Sequence, residues 1–238
     1  MTFIQLPFGL PRIANDGEIL NSHSRLGHGI GSGRHGTAHE GVLNGEKVCF
    51  KRYHFALSHA FTSNPAKDEY GRLLRARNNL SAIADSLQAP LGWYKDSVMG
   101  PVLVTSLVKD YNGAASQSLQ DTPVISNSFL KQLEGIFEHI ADRGSLYNPV
   151  PSNILVQRTS STESRPVLIN FTNYENYLHY PAKGVEYLFS PSTKARHIAN
   201  WLEATLTVAR GKVEGAHAPS LDELTLPQLP VSPSSERR

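Results

Sequence analysis

The sequence predicts an α+β fold in two lobes, an amino-terminal one built on an antiparallel sheet and a carboxy-terminal one that is mainly helical. Three observations lead there. Strand-like segments cluster around an early Asn44-Gly45 turn, helical stripes of apolar residues dominate later, and alternating strand–helix units are absent. The last point argues against a doubly wound parallel sheet. With 238 residues, 39% hydrophobic and 18% charged, the chain suffices for one large domain or two small lobes sharing a cleft.

Residues 37–43 and 46–53 flank Asn44-Gly45, the dipeptide that best tolerates two successive positive-φ positions, and are expected to form a hairpin. Asn64 as cap and Pro65 at the first helical position start a helix expected to run to about residue 85. Tyr70, Leu73, Leu74, Leu80, Ile83 and Leu87 form its buried stripe. Residues 91–95 and 101–108 read as strands. A second helix is the clearest element: Phe129, Leu130, Leu133, Ile136, Phe137, Ile140 and Ala141 share one face, Ser126 or Ser128 is the cap, and Gly144 the terminator. Residues 153–157 and 166–169 suggest another hairpin. A last helix covers about 193–209 with Ile198, Trp201, Leu202, Leu206 and Ala209 inward. The expected organisation is an extension over 1–24, a strand-rich lobe over 25–108, a helical lobe over 109–211 hinged near 109–112, and a Pro- and Ser-rich disordered tail over 212–238.

Composition excludes several function classes. Lys and Arg number 23 against 21 Asp and Glu, a net charge of +2 that is too small to attract nucleic acid or a membrane surface. No stretch approaches the roughly 18–20 apolar residues of a membrane span. The first residues lack the basic-then-apolar layout of a secretion signal, so the expected location is cytoplasmic. One cysteine, Cys49, allows no internal disulfide and no multi-cysteine zinc site. His35 and His39 have helical ligand spacing but fall in a loop and a strand, which argues against a metal pair.

Chemistry is concentrated in four places. Gly31-Ser32-Gly33-Arg34-His35-Gly36 matches G-x-G-x-x-G, and it opens into a strand hairpin rather than a helix. That context fits a loop whose bare backbone closes over nucleotide phosphates, not a dinucleotide fingerprint. Lys51, in Val48-Cys49-Phe50-Lys51, lies on the next strand, where period-two geometry puts it on one face with Cys49. A lysine there reaches α- and β-phosphates, and the small Cys49 leaves room for adenine. Its carboxylate partner is expected on the following helix, with Glu69 favoured over Asp68 because Glu69 shares the stripe of Leu73. In a solvent-reachable cleft such a pair is expected to contribute about 0–1 kcal/mol.

The run from Gly144 through Asn148, Pro151, Asn153 and Leu155 resembles the kinase catalytic loop H-R-D-x-x-x-x-N and its following strand, with Asn148 in the aspartate position. Asn170-Phe171-Thr172 stands in the D-F-G place, with Asn170 for aspartate and Thr172 for glycine. At both positions an amide replaces an anion. An amide accepts no proton at neutral pH and is a poor Mg²⁺ ligand. Asn153 and Asn170 are the metal-ligand candidates that the motifs supply.

From Gly31 to Asn170 the chain resembles the bacterial YrbL family (PhoP-regulatory-network protein), on Gly31-Ser-Gly-Arg-His-Gly36, Cys49-Phe-Lys51-Arg-Tyr-His54, Pro151-Ser-Asn-Ile-Leu155 and 166–170. The resemblance covers about residues 25–205. It implies a bilobal protein-kinase-like fold with an antiparallel β amino-terminal lobe and a shortened helical carboxy-terminal lobe. ATP is the implied ligand and Mg²⁺ its metal. Gly31, Ser32, Gly33, Arg34, Gly36, Ala38, Cys49, Lys51, Glu69 and Leu155 are the expected nucleotide site, with Ala38, Cys49 and Leu155 sandwiching the base. Asn148, Asn153 and Asn170 are the degenerate catalytic set. Three readings stay open: a nucleotide-binding pseudokinase acting through conformation and a protein partner, an atypical phosphotransferase that recruits Asp142 or Glu175 as its acid, and a ligand-free scaffold.

Overall fold

The structure is a computed structural model that describes residues 12–20, 24–33, 36–54, 64–98, 100–143, 150–170 and 191–213. A short hairpin comes first, β1 (Arg12–Ile13) and β2 (Ile19–Leu20). A five-stranded antiparallel sheet follows, made of β3 (Ser24–Gly33), β4 (Gly36–Leu43), β5 (Glu46–Tyr53), β6 (Pro90–Asp96) and β7 (Gly100–Ser106). Its spatial order is β3-β4-β5-β7-β6. The expected turn is present: Asn44 and Gly45 take φ of 49° and 93°, joining β4 to β5 in tight register.

Helix α1 (Pro65–Asn79) crosses between β5 and β6. Asn64 caps it by accepting the Lys67 N–H, and Pro65 opens it. The helix ends earlier than the apolar spacing predicts. Leu80 departs from helical backbone, and residues Ser81–Ser86 form a tighter 3₁₀ segment. Adjacent Asn78 and Asn79 are weak helix formers, and the Arg77 guanidinium gathers the Ala84 and Leu87 carbonyls beneath the last turn. Leu74 lies on the solvent side rather than in the buried stripe.

Helix α2 (Asn127–Asp142) starts at Ser126, whose hydroxyl accepts the Phe129 N–H at 3.1 Å. Phe129, Leu133, Ile136, Phe137 and Ile140 are buried, as the stripe predicts, whereas Leu130 is half-buried and Ala141, on the last turn, is exposed. Gly144 lies outside the described residues. A second sheet contains β8 (Gln117–Ser118), β9 (Ile154–Arg158) and β10 (Ser164–Leu168) in the order β10-β9-β8. The last helix, α3 (Pro191–Arg210), buries Leu202, Leu206 and Ala209; the side chain of Ile198 lies outside the described set. No helix among the described residues is long and apolar enough to cross a membrane.

Alternation along β5 sets up two packed layers. Val48 and Phe50 point to one face and join Ile19, Leu43, Tyr94, Val102 and Val104. The other face, carrying Cys49 and Lys51, is the one that α1 covers. A larger core runs from Ala66 and Leu73 of α1 through Trp93 and Leu103 of the sheet to Phe129, Leu133 and Leu202 of the helical half. Between the halves, Lys109 gives its carbonyl to Gln157, and the Asp110 carboxylate accepts from Ser116 and the Arg158 N–H. Lys212 and Val213 do not start a free tail. The Lys212 ammonium donates to the Gln120 and Thr122 carbonyls, and Val213 pairs with Ile125. The rest of the expected tail lies outside the described residues.

Candidate functional site

Register on the first sheet aligns the expected site residues. Gly31 is opposite Ala38, Ala38 opposite Lys51, Lys51 opposite Leu103, and Leu103 opposite Trp93. Directly opposed residues share a face, so one row runs from the glycine-rich hairpin through Lys51 to the far edge of the sheet. The glycines of the hairpin have different reasons. A Cβ at Gly36 would lie 2.2 Å from the Arg52 carbonyl oxygen, so close strand packing alone requires glycine there. A Cβ at Gly31 would meet nothing within 4 Å among the described residues. Gly33 and Ser32 continue the same strand, with Ser32 opposite Thr37; Arg34 and His35 lie outside the described residues.

Helix α1 brings Glu69, not Asp68, to Lys51. The Lys51 ammonium donates to both Glu69 carboxylate oxygens at 2.8 Å. A third donor goes to Asn170 Oδ1 at 2.9 Å, and Asn170 Nδ2 donates to Asn153 Oδ1 at 3.2 Å. An ammonium has three N–H donors and no acceptor, so these contacts use its full capacity. Lys51 and Asn170 thus meet across 119 positions of sequence. Asn170 holds φ of 58°, a left-handed backbone that asparagine adopts more readily than most residues.

Tyr53 belongs to the site although the motifs do not single it out. Its hydroxyl donates to Glu69 Oε2 at 2.8 Å, and its ring lies 5.4 Å from the Lys51 nitrogen. The available signal was period two, since Cys49, Lys51 and Tyr53 alternate onto one face. Electrostatics at Glu69 are a contest. Burial pushes its carboxyl pKa up most strongly, but the Lys51 charge and hydrogen bonds, the Tyr53 hydroxyl and the Arg72 charge together hold it below the ordinary glutamate value. Burial and the Glu69 charge push the Tyr53 hydroxyl well above its usual range.

The expectation of a solvent-screened pair is corrected here. Glu69 is 2% exposed, and the Lys51 side chain only 18%. Removing one partner therefore strands a buried charge rather than breaking a surface contact.

Ala38 and Cys49 lie on the face of Lys51, Ala38 partly exposed and Cys49 buried. Leu155 is half-buried between Ile154 and Val156, which fill the main core, so alternation turns it away from that core. Asn148, Thr172 and Glu175 fall outside the described residues. Asp142 is exposed on the last turn of α2, and no described bond joins it to the Lys51 cluster.

Burial raises the Cys49 thiol pKa, with smaller opposing contributions from Thr105 and Lys51. A neutral buried thiol is a poor nucleophile. Ellman's reagent at about pH 7 is expected to modify Cys49 at a small fraction of its rate in urea. Equal rates in native and unfolded protein would show an open, activated thiol.

Sheet order, glycine-rich hairpin, and a strand lysine paired with a glutamate on the next helix define a protein-kinase-like fold. Among solved structures the chain is similar to the BubR1 kinase domain, at 16% identity with a TM-score of 0.45, covering 71% of this chain and 48% of that one. The chain spans about half the length of that kinase domain. No family profile and no curated protein matches it.

Proposed function

We propose that this protein is a nucleotide-binding pseudokinase that works through conformation and contact with a protein partner. The observation that carries the proposal is the saturation of Lys51. Glu69 fixes the ammonium with two hydrogen bonds, and the third donor rests on a neutral amide, Asn170. A phosphate oxygen, being anionic, is a stronger acceptor than that amide and displaces it without breaking the ion pair. The row from Lys51 through Ala38 to Gly31 supplies the adjoining backbone, and the space over Gly31, open among the described residues, would accommodate an approaching phosphate. The base would lie against Ala38, Cys49 and Leu155.

ATP fits the described residues, whereas at Asn153 and Asn170 a Mg²⁺ ion would find only amides. Asn153 and Asn170 offer amides that are bonded to each other and to Lys51, and no group of three or more His, Cys, Asp or Glu side chains gathers among the described residues. Of the two acids required for transfer, the one at Asn170 is an amide in the described site, and sequence gives an amide at Asn148 as well. The resemblance to the YrbL group agrees with a kinase-derived protein of this kind.

Thermal melting tests the reading. Millimolar ATP is expected to raise the melting temperature of the full chain, with and without Mg²⁺, because a ligand bound only to the native state stabilises it by mass action. No shift in either condition would favour a ligand-free scaffold. A shift seen only with Mg²⁺ would favour an active phosphotransferase.

A further inference from the structure

Residues 12–20, read from sequence only as an extension, form a structured clamp. Ala14 donates its N–H to the Glu18 carbonyl at 2.9 Å, and Gly17 donates to Ala14 at 2.8 Å, closing the turn between β1 and β2. Gly17 has φ of +84°, and a Cβ there would lie 2.1 Å from Cε1 of Tyr70. The backbone at Gly17 therefore rests directly on a side chain of α1. Asp16 accepts from Lys67 Nζ at 2.9 Å, again on α1. In the other direction, the Asp16 carbonyl accepts from Trp93 Nε1 and the Gly17 carbonyl from the Trp93 backbone N–H, both at 2.9 Å. Lys67 Nζ lies 5.5 Å from the Trp93 ring centroid, completing the contact.

The two anchor points are informative. Lys67 and Tyr70 are three apart and share a helix face, while Glu69 lies between them and turns toward the sheet. Trp93 is the end of the cross-strand row that carries Lys51. The hairpin thus joins the helix that carries Glu69 to the strand row that carries Lys51. Such a tether supplements the packing of α1 on the sheet. The buried residues of the helix are Pro65, Ala66, Glu69 and Leu73, one of them a carboxylate whose burial opposes docking. Contacts from outside the sheet therefore add to the few buried apolar residues and the Glu69 hydrogen bonds that hold the helix in place.

We propose that the 12–20 hairpin holds α1 in the position where Glu69 meets Lys51, with Asp16 and Gly17 as positioning residues. Its consequence for nucleotide affinity rests on the nucleotide site proposed above; its effect on the Lys51–Glu69 pair does not.

The test uses the full chain and two readouts. The first is the acylation rate of Lys51 by a limiting dose of acetic anhydride, followed by peptide mass spectrometry, with Glu69→Ala as the reference for a released lysine. Gly17→Ala inserts a methyl against the Tyr70 ring in a strained backbone region, and Asp16→Lys places a cation against Lys67. Both are expected to raise Lys51 acylation several-fold toward the reference. The second readout is ATP affinity, expected to fall about tenfold when only about a tenth of the molecules keep the pair. Should Gly17→Ala fail to fold, Asp16→Lys alone decides. A wild-type acylation rate in a variant whose 12–20 amides exchange hydrogen freely overturns the proposal. If the unaltered protein binds no ATP, the nucleotide reading falls, and the acylation comparison still decides the role of the hairpin.

Discussion

Lys51→Ala is expected to lose about 3–5 kcal/mol of ligand-free stability near pH 7, the range for breaking a buried pair by removing one partner. Glu69 is 2% exposed, so the substitution leaves a carboxylate inside the protein with, among the described residues, the Tyr53 hydroxyl and the more distant Arg72 charge to support it. The sign with pH differs between the two proteins. In the natural chain the Glu69 pKa is depressed below its ordinary value of 4.5. Its contribution is therefore full above that value and is lost as pH falls through the depressed one. Without Lys51, burial is the dominant influence and raises the folded-state pKa above the unfolded one. The deficit of Lys51→Ala is then largest at neutral pH and shrinks as the medium is acidified and Glu69 takes up a proton. Urea titrations of both proteins at about pH 7 and about pH 5 measure this. The double change Lys51→Met with Glu69→Gln is expected to recover most of the loss, because no uncompensated charge stays buried. A Lys51→Ala protein within about 0.5 kcal/mol of the natural one at neutral pH would show a pair screened by water.

Asn170→Asp is expected to make nucleotide binding metal-dependent. In the natural protein the third Lys51 donor rests on an uncharged acceptor, and Asn170 in turn donates to Asn153. A carboxylate at position 170 would hold Lys51 more tightly and repel phosphate, so affinity for ATP in the presence of a chelator should fall. With Mg²⁺ the same carboxylate becomes a hard oxygen ligand, and affinity should rise about tenfold over the metal-free value, equivalent to about 1.4 kcal/mol. The left-handed backbone at 170 tolerates aspartate nearly as well as asparagine, so the change tests charge rather than folding. Calorimetric titration with ATP, once with chelator and once with Mg²⁺, gives both values. Equal affinities in the two conditions would place residue 170 away from the nucleotide. On the pseudokinase reading proposed above, this variant is expected to show no hydrolysis, since Asn148 supplies no proton-accepting carboxylate.

Local chemistry in the sequence determined much of this molecule. Asn44-Gly45 specifies a hairpin through its tolerance of positive φ, Asn64-Pro65 and Ser126 mark helix starts through the donors they satisfy or lack, and the stripe from Phe129 to Ile140 names the buried face of α2. The alternation of Val48, Cys49, Phe50 and Lys51 assigns their faces, and helical spacing selects Glu69 over Asp68 as the partner of Lys51. Each of these depends on neighbours within a few positions, where spacing is geometry.

What only the tertiary structure decided depends on residues far apart in the chain. At the early end of α1, the weak helix formers Asn78 and Asn79 are legible locally, but the Arg77 guanidinium folding back to the Ala84 and Leu87 carbonyls is not. Tyr53 and Asn170 reach the cluster from opposite ends of the described core, so no window of sequence contains them both. The burial of the Lys51–Glu69 pair, and with it the size of its energetic effect, depends on how α1 and the sheet close together, which spacing along either element does not report. The 12–20 segment reads as part of an extension because its anchors, Lys67, Tyr70 and Trp93, lie about 50 to 77 positions away. Periodicity identifies which side of an element is buried; which distant element covers it is a property of the folded chain.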